Sequence, residues 1–257
     1  SRTGSSGNSG EVNIAAGANL NATGAVIVDA STDANFLGTI NAPGAKVSLG
    51  GEAVALGNAP VGLGGLVLSA EVLAGLSDAQ SLSLRSSDTV DLYGSGAINL
   101  DAVTIDARGF RSFLAAGDSF EINTGSARLI NTGDTVGGPI TGDGEFSFNA
   151  GELDIGGGTI AFDGFQQVNL NADVLAWSGE ATLLSPAATK MNVGVFAPLA
   201  STRLSIEVAN DLSIAAAAMS EENLLIPELG GQLGITANSI RADSRFQLPS
   251  GILSLTS

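Results

Sequence analysis

The sequence predicts an all-β protein built as a parallel β-helix, a solenoid of roughly 12 coils with short insertions, and three observations point there. Hydrophobic residues make up 44% of the 257, yet only 14% are charged and 35 are glycine, so a large core is cut into short apolar segments by many tight turns. Aliphatic and small polar residues alternate in bursts of three to five, while helical periodicity is almost absent. A loose phrase also recurs: apolar, any, apolar, any, small, then another apolar residue two or three places on.

The bursts are "VNI" at Val12, "KVSLG" at Lys46, "SLSLR" at Ser81, "VDLYG" at Val90, "INLDAVTIDA" at Ile98, "EFSFNAGELDI" at Glu145, "TIAFDG" at Thr159, "RLSIEV" at Arg203 and "GILSL" at Gly251. The longer phrase reads "VNIAAGANL", "INLDAVTI", "FSFNAGELDI", "VNLNADVL", "LSIEVANDL" and "LGITANSI". Its period is about 20 residues with insertions, too short for a unit to bury its own apolar face. Stacked coils solve that problem, because each covers the next and the backbone pairs along the stack. At about 4.8 Å per coil the rod would be about 58 Å long. A sandwich or barrel would call for longer strands, more aromatic residues and hairpin turns; with 5% aromatics the interior reads as narrow and aliphatic.

Residues 1–10 read as a flexible or linker-like start and 11–257 as one β-helix segment. Two stretches break the pattern. "SAEVLAGLSDAQ" (69–80) has a capping serine before helix-tolerant residues and predicts a helical turn or two. "AAAAMSEENLLIPELGG" (215–231) predicts a protruding loop or short helix. The opening "SRTGSSGNSG" has no signal-peptide pattern and no 18-residue apolar run exists, so the chain reads as a fragment without a membrane span, any export signal lying upstream.

Composition limits the chemistry. There is no cysteine and no histidine, which removes Cys–His and Ser–His–Asp catalysis, His-bearing zinc sites and imidazole switches. A net charge of −16 repels phosphate backbones, so nucleic acid is not an expected partner, and the charge serves solubility. Acid pairs suitable for glycan cleavage are Asp101 with Asp106, Glu152 with Asp154, Asp163 with Asp173, and Glu221 with Glu222. Glu152 and Asp154 should point outward about 7 Å apart. Arg108 and Arg111 are the nearest basic residues to Asp101 and Asp106. Against these stands the reading of solvated strand faces, since one Trp and one Tyr offer few sugar platforms. "TGDGEF" and "IGGGTIAFDG" echo a calcium-binding turn once each without repetition, and their glycines read as turn residues with positive φ. "GGG" at Gly156 and "GLGG" at Gly62 lack the Lys-Ser or Lys-Thr of a phosphate loop. "NAT" at Asn21 reads as a coil turn. No catalytic residue, metal ligand or cofactor is assigned, and no binding residue is singled out. Trp177, in "FDGFQQVNLNADVLAWSGEATL", should pack at a coil corner, with Val168, Leu170, Val174 and Leu175 inside and Asn169 and Asn171 outward or in turns.

In coil texture the chain resembles the long exoproteins of the filamentous haemagglutinin family, secreted by the two-partner route. The resemblance lies in "GFQQVNLNADVLAWSGEATL", "SDAQSLSLRSSDTVDLYGSG" at Ser77 and "FLGTINAPGAKVSLGG" at Phe36, and covers most of residues 11–257. It implies a right-handed β-helix belonging to the shaft of a large adhesin on the surface of a Gram-negative bacterium. It also implies export through an outer-membrane secretion pore and contact with a receptor or glycan on a host or neighbouring cell, without catalysis. A carbohydrate-active β-helix, lyase or hydrolase, and a subunit that stacks end to end into fibres are the alternatives.

Overall fold

The path of the chain follows from the alternation of its apolar residues, in the computed structural model of residues 10–30, 34–133, 140, 142–217 and 227–257. The first turn runs through β1 (Val12–Ile14), β2 (Asn19–Asn21) and β3 (Ala25–Asp29). The second runs through β4 (Ala34–Phe36), β5 (Thr39–Asn41) and β6 (Lys46–Gly51). Corresponding strands pair in parallel: Val12 lies opposite Ala34, Leu20 opposite Ile40, and Val26 opposite Val47. The three walls so founded are named first, second and third, in the order a turn visits them.

Next come β7 (Val54–Gly57), β8 (Leu66–Leu68), α1 (Ala70–Gly75), β9 (Ser81–Ser86), β10 (Val90–Tyr93), β11 (Gly96–Asp106), β12 (Gly109–Ser112) and β13 (Ser119–Ile130). The stack is completed by β14 (Gly144–Asp163), β15 (Phe165–Trp177), β16 (Ala181–Ser185), β17 (Ala188–Pro198), β18 (Arg203–Ala215), β19 (Gln232–Asp243), β20 (Arg245–Phe246) and β21 (Ile252–Thr256). The longer strands bend round corners and serve more than one wall. In β14 the bend from third to first wall falls on Gly157 and Gly158, both with positive φ. A Cβ on Gly158 would meet the carbonyl oxygen of Asn131, so the "GGG" stretch is a corner, as the turn reading of its glycines requires.

Strands hold 65% of the residues and helix 3%, arranged as a parallel β-solenoid of about 10 turns. Its inner surface is a set of residue columns. On the third wall one column runs Val26, Val47, Leu82, Val103, Ala127, Leu153, Leu175, Phe196, Phe246. On the second wall Ile98, Ile122, Phe148, Leu170, Met191 and Ile214 do the same. Nearly every member is buried, and each leucine or isoleucine so removed from water contributes about 1.5–3 kcal/mol.

The interior is not uniformly aliphatic, as the composition suggested. Phe110, Phe146, Phe162 and Phe165 form one group with ring centroids 5.0–5.9 Å apart, Phe110 stacked on Phe146 and Phe162, and Phe146 tilted against Phe162 and Phe165. The rings concentrate here because inward columns of the first wall (Phe110, Phe162) and the second (Phe146) meet beside the corner that Phe165 occupies, and rings on adjacent turns pack together there.

Three departures from a plain coil explain why the turns number about 10 and not roughly 12: residues leave the stack without adding a full rung. First, the chain steps from β6 to β7, then returns one layer. β8 is inserted beneath β7, with Leu66 opposite both Ala34 and Val54, while β7 pairs onward with β10. The accompanying α1 matches the 69–80 expectation: Ser69 accepts from the Val72 backbone N–H at 3.3 Å. A helix is about 10 Å thick against about 4.8 Å per strand, so α1 fills on the second wall roughly the interval that β8 and β7 fill on the first. Second, β12 pairs directly with the end of β14, so the first wall passes from one to the other with no rung between them. Third, β20 pairs directly with β17, so the third wall passes from one to the other with no rung between them. The 215–231 expectation falls mainly outside the described residues, as does nearly all of the 1–10 start.

Candidate functional site

Among the described residues, a dense charged cluster arises on the outside of the first wall. In β10, Val90 and Leu92 turn inward, so Asp91 turns out. Parallel register then places Arg111 of β12 beside it and Asp163 of β14 beyond. Arg111 donates from Nε to Asp91 Oδ1 and from Nη2 to Oδ2, both at 2.7 Å. Thr89 Oγ1 donates to the same carboxylate at 2.7 Å, and Asp91 is 6% exposed. Arg108 Nη1 donates to Asp88 at 3.2 Å, and Arg111 also approaches Asp88 at 3.8 Å. Next to these, Tyr93 and Phe113 stack with centroids 4.5 Å apart, and the Arg111 guanidinium lies 5.9 Å from the Phe113 ring.

The electrostatics follow from this packing. The hydrogen bond to Asp91 raises the Arg111 pKa further, against the opposing effect of burial. Arg111 therefore stays a cation, and the base role suggested by its sequence position does not fall to it. Burial raises the Asp163 carboxyl above the ordinary range, with Arg111 opposing. Burial, then Asp91, raises the Tyr93 phenol, with Arg111 again opposing. The arrangement is a half-buried clamp across turns, in which a bidentate pair fixes two coils in register.

The other nominated acids are dispersed. Asp101 lies near Asn99 and Thr124 at the corner of the second and third walls, whereas Asp106 accepts from Thr132 at 2.9 Å and approaches Arg85 at 3.8 Å. Four residues of strand lie between them, about 16 Å of chain over five steps. Arg108 and Arg111 are paired with Asp88 and Asp91, not with Asp101 and Asp106. Glu152 and Asp154 share the outer side of the third wall, but Asp154 is 7% exposed and receives bonds from Arg128 Nη1 and Ser178 Oγ, each at 2.9 Å. Burial raises its pKa, with the Ser178 bond and Arg128 opposing. Asp163 and Asp173 occupy different walls, and Glu221 and Glu222 lie outside the described residues.

One outward feature was not anticipated. Asn99, Asn123, Asn149, Asn171 and Asn192 form a ladder, each amide N–H donating to the Oδ1 of the turn before at 2.8, 2.6, 2.7 and 2.6 Å. The signal in the sequence is an Asn directly after an inward apolar residue: Ile98, Ile122, Phe148, Leu170 and Met191. The ladder ends where Asn192 faces Ala215. Trp177 is 0% exposed, and its Nε1 donates to the Thr202 carbonyl at 3.2 Å. It is a rung of the third wall between Ile155 and Pro198, at the corner expected of it and with no ring face open as a ligand platform. A scan against protein-family models finds no match, and searches of curated proteins and of solved structures return none.

Proposed function

We propose that this chain is a shaft segment of a large secreted bacterial surface adhesin, serving extension and attachment without chemistry of its own. The observation that carries this reading is the axial continuity of the stack. Inner columns and the outward Asn ladder run from turn to turn, and the most buried carboxylates, Asp91 and Asp154, bind arginines of neighbouring turns. Such a rod gains length by adding coils and needs no enclosed site. On this reading the chain reaches the surface of a Gram-negative cell through an outer-membrane secretion pore, and its contact is a receptor or glycan on another cell. The test displays the chain behind a two-partner secretion module, with its pore, in a Gram-negative host carrying a distal epitope tag. Surface exposure of the tag together with increased attachment to epithelial monolayers is expected. Absence of export, or attachment equal to that of cells lacking the chain, would overturn it.

A further inference from the structure

The step back from β7 to β8 has a product on the outside of the first wall. The eight-residue link, 58–65, is tied at both ends: Asn58 N–H donates to the Tyr93 carbonyl at 2.8 Å and Leu66 N–H to the Ala53 carbonyl at 2.8 Å. Inside it Leu63 N–H closes a turn on the Pro60 carbonyl at 3.2 Å, with Gly62 and Gly65 at positive φ. The link contains no charged residue. It holds Val61 fully exposed and Leu63 at 37%, facing a groove of about 850 Å³ whose other wall includes Phe36 and Leu37, the latter 60% exposed. Water disfavours an anchored loop that holds bare aliphatics; Ile27, Phe113 and Leu229 are exposed too, but they do not line this groove. The size is that of a ligand groove, and the lining is mostly apolar with a few polar groups, Asn35 and Asn58 among them.

The charge at its rim selects the occupant. Glu11 and Glu71 are the charged residues among those lining it, no Lys or Arg joins them, and the protein as a whole carries −16. We propose that this groove is a docking site for a short extended peptide of a partner protein, bearing an aliphatic side chain beside a lysine or arginine. The aliphatic group leaves water against Val61, Leu63 and Leu37, and the cation meets Glu71 or Glu11. The shaft reading stands whether or not the groove binds, because it rests on the stack and is tested by export and attachment.

The test is fluorescence anisotropy with a fluorescein-labelled hexapeptide alternating leucine and lysine, at physiological salt. Saturable binding is expected, weakened about tenfold or more when lysine is replaced by glutamate or leucine by serine. Val61→Asp should weaken it about tenfold or more although it makes the protein more negative, and Leu37→Ser should do the same. Both side chains are exposed, and an unchanged urea midpoint checks that the fold persists. Glu71→Gln should weaken binding about three- to tenfold, while the distant Glu207→Gln, an equal change in net charge, leaves it unchanged. No saturable binding, equal binding of the serine or glutamate peptides, or undiminished binding to Val61→Asp would overturn the proposal.

Discussion

At the scale of single residues, burial decides which side chains matter. Trp177 has no exposed surface and one side-chain hydrogen bond, so Trp177→Ala leaves a large cavity and removes one of two donors to the Thr202 carbonyl, which keeps the Gln232 N–H. A loss of about 3–5 kcal/mol in urea unfolding is expected, with Trp177→Phe costing less because a ring remains. As the only tryptophan, it reports on its own turn: native emission should be blue-shifted and move to the red on unfolding. Asp163 offers a sign that acid titration can read. Burial holds its pKa above the unfolded value, so the folded protein binds this proton more readily than the unfolded chain. The charged carboxylate therefore costs stability above the raised pKa, and the cost fades as pH falls through that pKa toward the ordinary carboxylate range. Asp163→Asn should raise the urea midpoint at pH 7, with an advantage that shrinks on acidification; parallel curves for the two proteins from pH 7 to 3.5 would refute this.

At the scale of elements, the Asn ladder links turns that the inner columns already stack. Asn149 donates to Asn123 and accepts from Asn171, whereas Asn192 donates to Asn171 and faces Ala215. Asn149→Ala should therefore cost about 1–2 kcal/mol and Asn192→Ala about half as much, compared by urea midpoints. Equal costs would mean that the amides act singly and not as a ladder. This level also marks how much could be read in advance. "VNLNADVL" and "FSFNAGELDI" announce strands, because inward and outward residues alternate in sequence. The helix is legible at Ser69 because capping is local. The ladder was not, since Asn123 and Asn149 meet only once the register across 26 residues is known, and repeat lengths are unequal. The Arg111–Asp91 clamp was missed for the same reason: Arg111 lies nearer in sequence to Asp106, but register places it on Asp91.

At the scale of the molecule, the parallel solenoid was legible from glycine density and short alternating bursts, while its turn count was not. Residues 58–65 look like coil material by composition, yet only pairing shows that they leave the stack. Modularity gives this scale its prediction. Phe146, Val168 and Thr189 are register equivalents on successive turns, so excising residues 168–188 removes one whole turn and brings Thr189 to the place of Val168. The shortened chain should keep a cooperative unfolding transition and a β-type circular dichroism spectrum, its rod shorter by about 4.8 Å. A molten, dye-binding product would show that the turns are not interchangeable.

The placement of β8 beneath β7 carries a consequence for assembly in time. A chain that emerges amino-terminus first presents β7 while β4 is still an open edge, so the two can pair with each other before β8 exists outside the pore or ribosome. The native order requires β8 to enter between them, parting one set of hydrogen bonds to make two. This turn therefore cannot be laid down by simple winding, and it is expected to lag behind its neighbours on both sides. Pulse-labelled hydrogen exchange during refolding should find the amides of Leu66–Leu68 protected after those of β11 and β13; simultaneous protection would mean that winding waits until the whole segment is available.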